Sequence, residues 1–197
     1  MRNETTSTPP LDWNTLLIDQ LDWHWRHQLR PRLTGLTDDE YRWEPAPGAW
    51  SLRPRGTGTA PITAGGGAFT LDFAIPEPDP PPVTTIAWRI CHLLVGVFEM
   101  RVASHFGGPP VDYGSYDYPG DAAGALQRLE ADYAAWTDGV RGLGADGLAR
   151  PCGPAEGQFA EHPMAALVLH INREVLHHGA EIALLRDLYR DTQQGRQ

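Results

Sequence analysis

The stretch HINREVLHHGAEIALLRDLY, residues 170–189, carries the clearest structural pattern in the chain. Its apolar residues recur every three or four positions, which predicts one long amphipathic helix. Because proline suits the first helical position, we expect Pro163 to start this helix, which then runs to about Asp191. Glu174 and His178 lie one turn apart inside it, on the face whose other members point towards a core.

Three earlier helices are expected from the same kind of periodicity. Their predicted bounds are residues 11–33, residues 85–105, and residues 121 to 139 or 144. A Pro/Gly-rich insertion at 44–83 joins the first helix to the second, and within it 61–63 and 68–73 can form a short hairpin. The fold class is therefore all-α, a four-helix bundle with a long loop between helices 1 and 2.

A length of 197 residues fits one domain. We expect residues 11–191 to form it, with a flexible N-terminal tail at 1–10 and a C-terminal tail at 192–197. The net charge is −9, which argues against a nucleic-acid or anionic-membrane partner. The apolar stretch 86–100 includes charged side chains, so a core helix is predicted there rather than a membrane span. We expect a cytoplasmic protein with a small-molecule substrate, and a homodimer is left open.

His92, in the second helix, supplies the third group of a candidate metal site. Residues i and i+4 of a helix lie about 5–6 Å apart at their Cβ atoms, so Glu174 and His178 can share one ion. An unpaired carboxylate in a bundle interior is costly, and a cation shared with His92 would offset that cost. Three protein ligands leave a position open, as in catalytic zinc sites. The alternative is that His92 is a hydrogen-bonded core histidine and the Glu–His pair a structural one.

Four neighbouring residues are candidates for supporting or lining this site. Glu181 follows His178 by three residues and could accept its second N–H, the usual role of a carboxylate beside a metal ligand. His170 lies one turn before Glu174 and could line a pocket. His24 and Trp25, in the first helix, could face a ligand, although core packing is the alternative for both. The remaining histidines (His27, His105, His162 and His177) show no pattern that predicts a function.

The segments TIAWRICHLLVGVF (85–98), HINREVLHHGAEIALLRDLY and WEPAPGAWSLRP (43–54) resemble the DinB/YfiT-like superfamily of four-helix metalloproteins over about residues 11–190. The His/Glu/His set is similar to the metal site of mycothiol-dependent maleylpyruvate isomerases. The resemblance implies that His92, Glu174 and His178 bind a divalent metal, zinc first, with nickel, iron or manganese as alternatives. It also implies a low-molecular-weight thiol as cofactor, and the absence of lysine, as in high-GC genomes, favours mycothiol. The long insertion at 44–83 departs from compact members, and isomerisation itself is not expected.

These observations lead to three functional hypotheses. The first is a thiol-dependent S-transferase in which a cofactor thiolate attacks an electrophilic small molecule, because thiolate rather than thiol is the nucleophile. The second is a hydrolase that uses water activated by the same metal. The third is a non-catalytic stress protein that binds a metal or a small ligand.

Overall fold

The computed structural model describes residues 11–195 and is mostly helical, with one small sheet. It contains four long helical segments. The first comprises α1 (Trp13–His24), a π-helical segment (Trp25–Leu29) and α2 (Arg30–Leu33). The second comprises α4 (Ile86–His92), a second π-helical segment (Leu93–Glu99) and α5 (Met100–His105), and the other two are α6 (Ala122–Arg141) and α8 (Met164–Gln194). Shorter helices are α3 (Asp38–Tyr41) and α7 (Gly144–Ala149), and residues Pro154–Phe159 form a 3₁₀ helix.

Three of the long helices begin at side chains that accept a backbone N–H. Asp12 caps α1, Thr85 caps α4 and Asp121 caps α6, each by accepting from the amide three residues later. Such caps satisfy one of the amide groups that the first turn leaves without a partner. They explain why the helix starts lie where the sequence pattern predicts them.

The second π-helical segment directly follows His92 on the α4 side of the core. π-Helical turns interrupt the regular i→i−4 ladder and occur frequently at functional sites. Arg101 donates to the carbonyl oxygen of Gly96 at 2.6 Å, and Gly96 lies within this segment. The interruption of the helix therefore begins immediately after His92, the residue that this helix contributes to the candidate metal site.

The insertion at 44–83 contains an antiparallel sheet in the order β1–β3–β2, made of β1 (Leu52–Pro54), β2 (Ile62–Ala64) and β3 (Phe69–Phe73). Leu52 pairs with Leu71, and Ile62 pairs with Phe73. The hairpin expected at 61–63 and 68–73 is present as β2 and β3, and β1 adds a third strand that was not predicted. The all-α prediction is corrected by this sheet, and the insertion is not a loop throughout. Strands of three to five residues are too short for a decisive alternation, and the prolines and glycines between them mask the pattern.

The sheet is attached to the start of α4 by a buried tryptophan. The indole N–H of Trp88 donates to the carbonyl oxygen of Asp72 at 2.8 Å. The Asp72 side chain is fully buried and accepts from the backbone of Ser51 and from Arg53. The insertion therefore forms one packed unit with α4, one turn before His92.

The core is continuous between the long helices and extends under the sheet. Helix α8 contacts α1, α4 and the second π-helical segment, and α6 contacts α1, α4 and α5. The predicted tail at 1–10 lies outside the described residues. Helix α8 continues to Gln194, three residues past the end at about Asp191 that the sequence pattern predicts. Over residues 11–195, every helix is too short or too polar to cross a bilayer.

Candidate metal centre

His92, Glu174 and His178 converge between α4 and α8. Each of the three offers one ligand atom, and these atoms lie within 4.8 Å of one another. The His92 and His178 rings meet edge to face, with centroids 4.9 Å apart. The pairing of an i,i+4 couple on one helix with a histidine from a facing helix is therefore present in the folded chain.

A carboxylate lies near each ring nitrogen of His178, and one of the two is hydrogen-bonded. Its Nδ1 lies 2.7 Å from Oε2 of Glu181, and its Nε2 lies 3.4 Å from Oε2 of Glu174. Two ligand atoms about 2.1 Å from a tetrahedral ion are about 3.4 Å apart. The Nε2 and carboxylate atoms thus have the separation that a shared ion requires, while Glu181 accounts for the other nitrogen.

His92 is held in the same way, by a tyrosine. Its Nδ1 lies 2.8 Å from the hydroxyl of Tyr113, and its ring stacks on Trp88 at a centroid distance of 5.5 Å. A hydrogen bond at Nδ1 leaves Nε2 available for an ion, and such outer partners orient metal-bound imidazoles. Gly96 makes this contact feasible, because a Cβ there would overlap the Tyr113 hydroxyl.

Glu174 has only long contacts with the nitrogen atoms of its neighbours. Its oxygens lie 3.4 Å from Nδ1 of His170, 3.4 Å from Nε2 of His178 and 3.7 Å from Nε of Arg173. Hydrogen bonds between nitrogen and oxygen are typically about 2.7–3.2 Å long. The carboxylate is mostly buried, with 24% of its side chain exposed, so these contacts leave it available for a cation.

The electrostatics favour the metal-binding form of His92. Burial lowers the pKa of His92 to about 3, and the charges of His178 and Arg89 act in the same direction. Metal ligands must be neutral imidazoles, so the ring needs no deprotonation near neutral pH. Burial tends to raise the pKa of Glu181, but the hydrogen bond with His178 and the charge of Arg89 lower it overall. Glu181 is therefore an ionised acceptor.

A second group of donors overlaps the first. His177, His178 and Glu181 also offer ligand atoms within 4.8 Å of one another. His177 is exposed, and its Nε2 lies 3.4 Å from Oε1 of Glu181. Glu181 is in addition paired with Arg89, whose Nε lies 3.0 Å from its Oε2, although that contact misses hydrogen-bond alignment. A carboxylate already paired with an arginine is the weaker ligand, so the group containing His92 is the better metal site.

Of the four other residues expected at the site, two contact the cluster and two do not. Glu181 contacts His178, and His170 contacts Glu174, as described above. His24 lies against Gly179 on another face of α8, and its buried Nε2 has no hydrogen-bond partner among the described residues. Trp25 stacks on Tyr133 at 4.1 Å and is a core residue. Neither first-helix residue faces the cluster.

A cavity of about 370 Å³ lies near Glu174, with His170 and Arg173 between them, and we call it the side cavity. Its walls include Arg101, Glu156, Phe159, Leu167, His170 and Arg173. Sequence reasoning missed Arg101 and Glu156, as well as Tyr113, because no local spacing relates them to the cluster. The only available signal was Gly96, a glycine inside a helix four residues after His92.

Two histidines and one carboxylate suit a divalent transition metal. Imidazole and carboxylate donors are typical of zinc and are also used by nickel, iron and manganese. The second nitrogen of each imidazole is already engaged, which fixes the remaining one towards the cluster. The donor set and its surroundings therefore fit a divalent cation with at least one further coordination position.

One comparison with known proteins gives a match. The family model of the DinB superfamily matches residues 58–182, a range that includes all three residues of the cluster. No curated protein and no solved structure matches the chain.

Proposed function

Because this chain belongs to the DinB superfamily, we propose that it is a divalent-metal-dependent enzyme, a thiol S-transferase that acts on an electrophilic small molecule. The observation that carries the proposal is the convergence of His92, Glu174 and His178 within 4.8 Å. We propose zinc as the metal and mycothiol as the thiol, because a His/Glu/His set resembles that of mycothiol-dependent isomerases. We further propose that the long helices form the four-helix bundle of the family.

The chain's own residues would hold and orient the reactants. Tyr113 and Glu181 fix the imidazole rings, and the mostly buried Glu174 completes the donor set. A divalent cation bound there would lower the pKa of a thiol, because a coordinating thiol is deprotonated. In the transfer, the thiolate sulfur forms a bond to carbon, the thiol proton passes to solvent, and the leaving group departs with its bonding electron pair.

Metal analysis of the purified protein tests the site. We expect about one equivalent of a divalent transition metal in the wild-type protein and a loss of most of it in Glu174→Gln and His178→Ala. His177→Ala is the matched control, because His177 is the adjacent histidine and is exposed. Retention of metal by both site variants, or its loss in the control alone, would place the ion elsewhere.

Thiol dependence tests the reaction. Consumption of chlorodinitrobenzene, which releases chloride when sulfur attacks its ring, should require the metal and one of the thiols mycothiol, bacillithiol or glutathione. Metal-dependent cleavage of nitrophenyl esters without any thiol would favour the hydrolase hypothesis instead. Failure of every thiol and ester with a fully loaded protein would favour a binding protein.

A further inference from the structure

The side cavity is built by a closed loop docked against α5. Three backbone hydrogen bonds of 2.8 Å close the base of this loop: Cys152 N to His162 O, Gly153 N to Ala160 O, and Met164 N to Arg150 O. Glu156, within the loop, lies 2.9 Å from Nε2 of His105 and 3.3 Å from a guanidinium nitrogen of Arg101. These contacts fix the loop as one wall of the cavity.

The charged groups of the cavity are two arginines and one carboxylate. Arg101 and Arg173 both line it, whereas its carboxylate, Glu156, already accepts from His105 and Arg101. The Nε–H of Arg101 is buried and has no hydrogen-bond partner among residues 11–195. A buried donor without a partner costs free energy that an anionic ligand would recover. In a chain of net charge −9, these groups favour an anion at this cavity.

The remaining walls are apolar. Phe159 and Leu167 line the cavity together with the thiol of Cys152. Burial raises the pKa of Cys152, and the charge of Glu156 acts in the same direction, so its thiol is not primed as a nucleophile. The cavity volume of about 370 Å³ suits a small organic molecule. A ligand that fills it needs an apolar body and one anionic group.

Two residues of the cavity wall also contact the metal centre. His170 and Arg173 line the cavity and lie 3.4 Å and 3.7 Å from Oε1 of Glu174. Arg173 also donates to Nδ1 of His170 at 2.6 Å. A molecule held between the arginines would therefore lie beside a metal ligand.

We propose that the side cavity binds the substrate and that the substrate is a small organic carboxylate with an apolar body. This inference rests on the proposed function, because it assigns the substrate class of the same centre. Arg101 and Arg173 pair with the carboxylate, and Phe159 and Leu167 pack on the apolar part.

Protection of Cys152 from maleimide tests the binding site with benzoate as the probe and benzamide as its neutral match. Cys91 is completely buried, whereas Cys152 is 9% exposed and lines the cavity, so slow labelling at alkaline pH should be confined to Cys152. Peptide mass spectrometry distinguishes the two cysteines, and a Cys152 that never reacts in the folded protein would show that the cavity is closed to small molecules. We expect benzoate to slow the labelling of Cys152 several-fold and benzamide to have little effect. Equal protection by both probes would overturn the assignment of an anion, and no protection by either would overturn the site.

Arg173→Gln is the informative variant, because the Arg173 side chain is 71% exposed and its loss leaves the core intact. We expect it to raise about tenfold the benzoate concentration that gives half-maximal protection, because one charge-assisted hydrogen bond is lost. Arg190→Gln, on the exposed surface of the same helix, should leave that concentration unchanged. An equal effect of both variants would mean that benzoate responds only to the overall charge of the protein, and this would overturn the proposal.

Cobalt-substituted protein gives a separate readout for the link to the metal. Benzoate should change the visible spectrum of the cobalt centre. Protection of Cys152 with an unchanged spectrum would overturn the claim that a molecule in the cavity lies beside a metal ligand. The labelling arm needs no metal, so a failure of the proposed metal site would be recognised independently by the elemental analysis.

Discussion

The hydroxyl of Tyr113 lies 2.8 Å from Nδ1 of His92, although the two residues are on different elements, and Gly96 leaves the space for it. Burial raises the pKa of Tyr113 far above its ordinary range, so its hydroxyl remains protonated and neutral. The contact orients the imidazole without adding charge to the cluster.

Tyr113→Phe should weaken metal binding while the fold is retained. The loss of an outer partner of a metal-bound histidine typically costs about 10–100-fold in affinity. Competition with a chromophoric chelator measures this directly. Tyr116→Phe is the matched control, since Tyr116 lies in the same segment but bonds to Glu99 instead. Equal affinities for wild type and Tyr113→Phe would show that the hydroxyl does not position His92.

Gly96→Ala should reproduce that defect by a steric route. The new Cβ would overlap the Tyr113 hydroxyl and lie 3.2 Å from Cε1 of His92, so the tyrosine has to move. We expect metal affinity to fall by roughly tenfold or more, on the same basis as for the loss of the hydroxyl. Gly142→Ala, where the nearest atom would be 3.4 Å away, provides the control. An affinity like that of wild type would mean that the tyrosine is dispensable.

Substitutions of Glu181 should separate its hydrogen bond from its charge. Glu181→Gln keeps an oxygen that can accept from Nδ1 of His178, whereas Glu181→Ala removes it and also leaves Arg89 without its carboxylate. We therefore expect Ala to lower metal affinity by about 10–100-fold and Gln to lower it less. Isothermal titration with zinc would measure both. Equal losses in the two variants would assign the effect to charge alone, because both substitutions remove the charge.

Asp132→Asn should change how stability depends on pH. Burial raises the pKa of Asp132 to about 8, and the charge of Glu99 acts in the same direction. Between about pH 4 and pH 8 the folded chain holds this proton and the unfolded chain does not, so stability decreases as the pH rises. Removal of the acid should flatten this dependence and stabilise the protein above pH 8. Urea unfolding at pH 5 and pH 8.5 would test it; parallel curves for both proteins would contradict the shifted pKa.

Trp88→Phe should loosen the attachment of the sheet to α4. The substitution removes the N–H that donates to the carbonyl oxygen of Asp72, and a buried acceptor without its partner costs about 1–3 kcal/mol. The free energy of unfolding from urea titration should fall by about that amount. Trp13→Phe, at an exposed tryptophan, is the control and should change it little. Equal changes would mean that the indole N–H contributes nothing.

Some of the fold was predictable from the sequence because its determinants are local. Helical periodicity and the capping residues Asp12, Thr85 and Asp121 act within a few residues of the chain. Of the strands, 62–64 and 69–73 match the hairpin predicted at 61–63 and 68–73, whereas 52–54 was not predicted. Short strands are stabilised by their partners, so a strand that pairs with a distant segment, as 52–54 does with 69–73, is recognised only once the pairing is known.

The sequence by itself determined that Glu174, His178 and Glu181 share one helical region, because the helix period sets the direction of side chains three or four residues apart. Only the tertiary structure decided which groups meet them from elsewhere. The approach of His92 across the core, the Tyr113 hydroxyl above Gly96 and the arginines of the side cavity all join residues distant in the chain. Such contacts depend on how whole helices pack, and no short-range spacing encodes that packing.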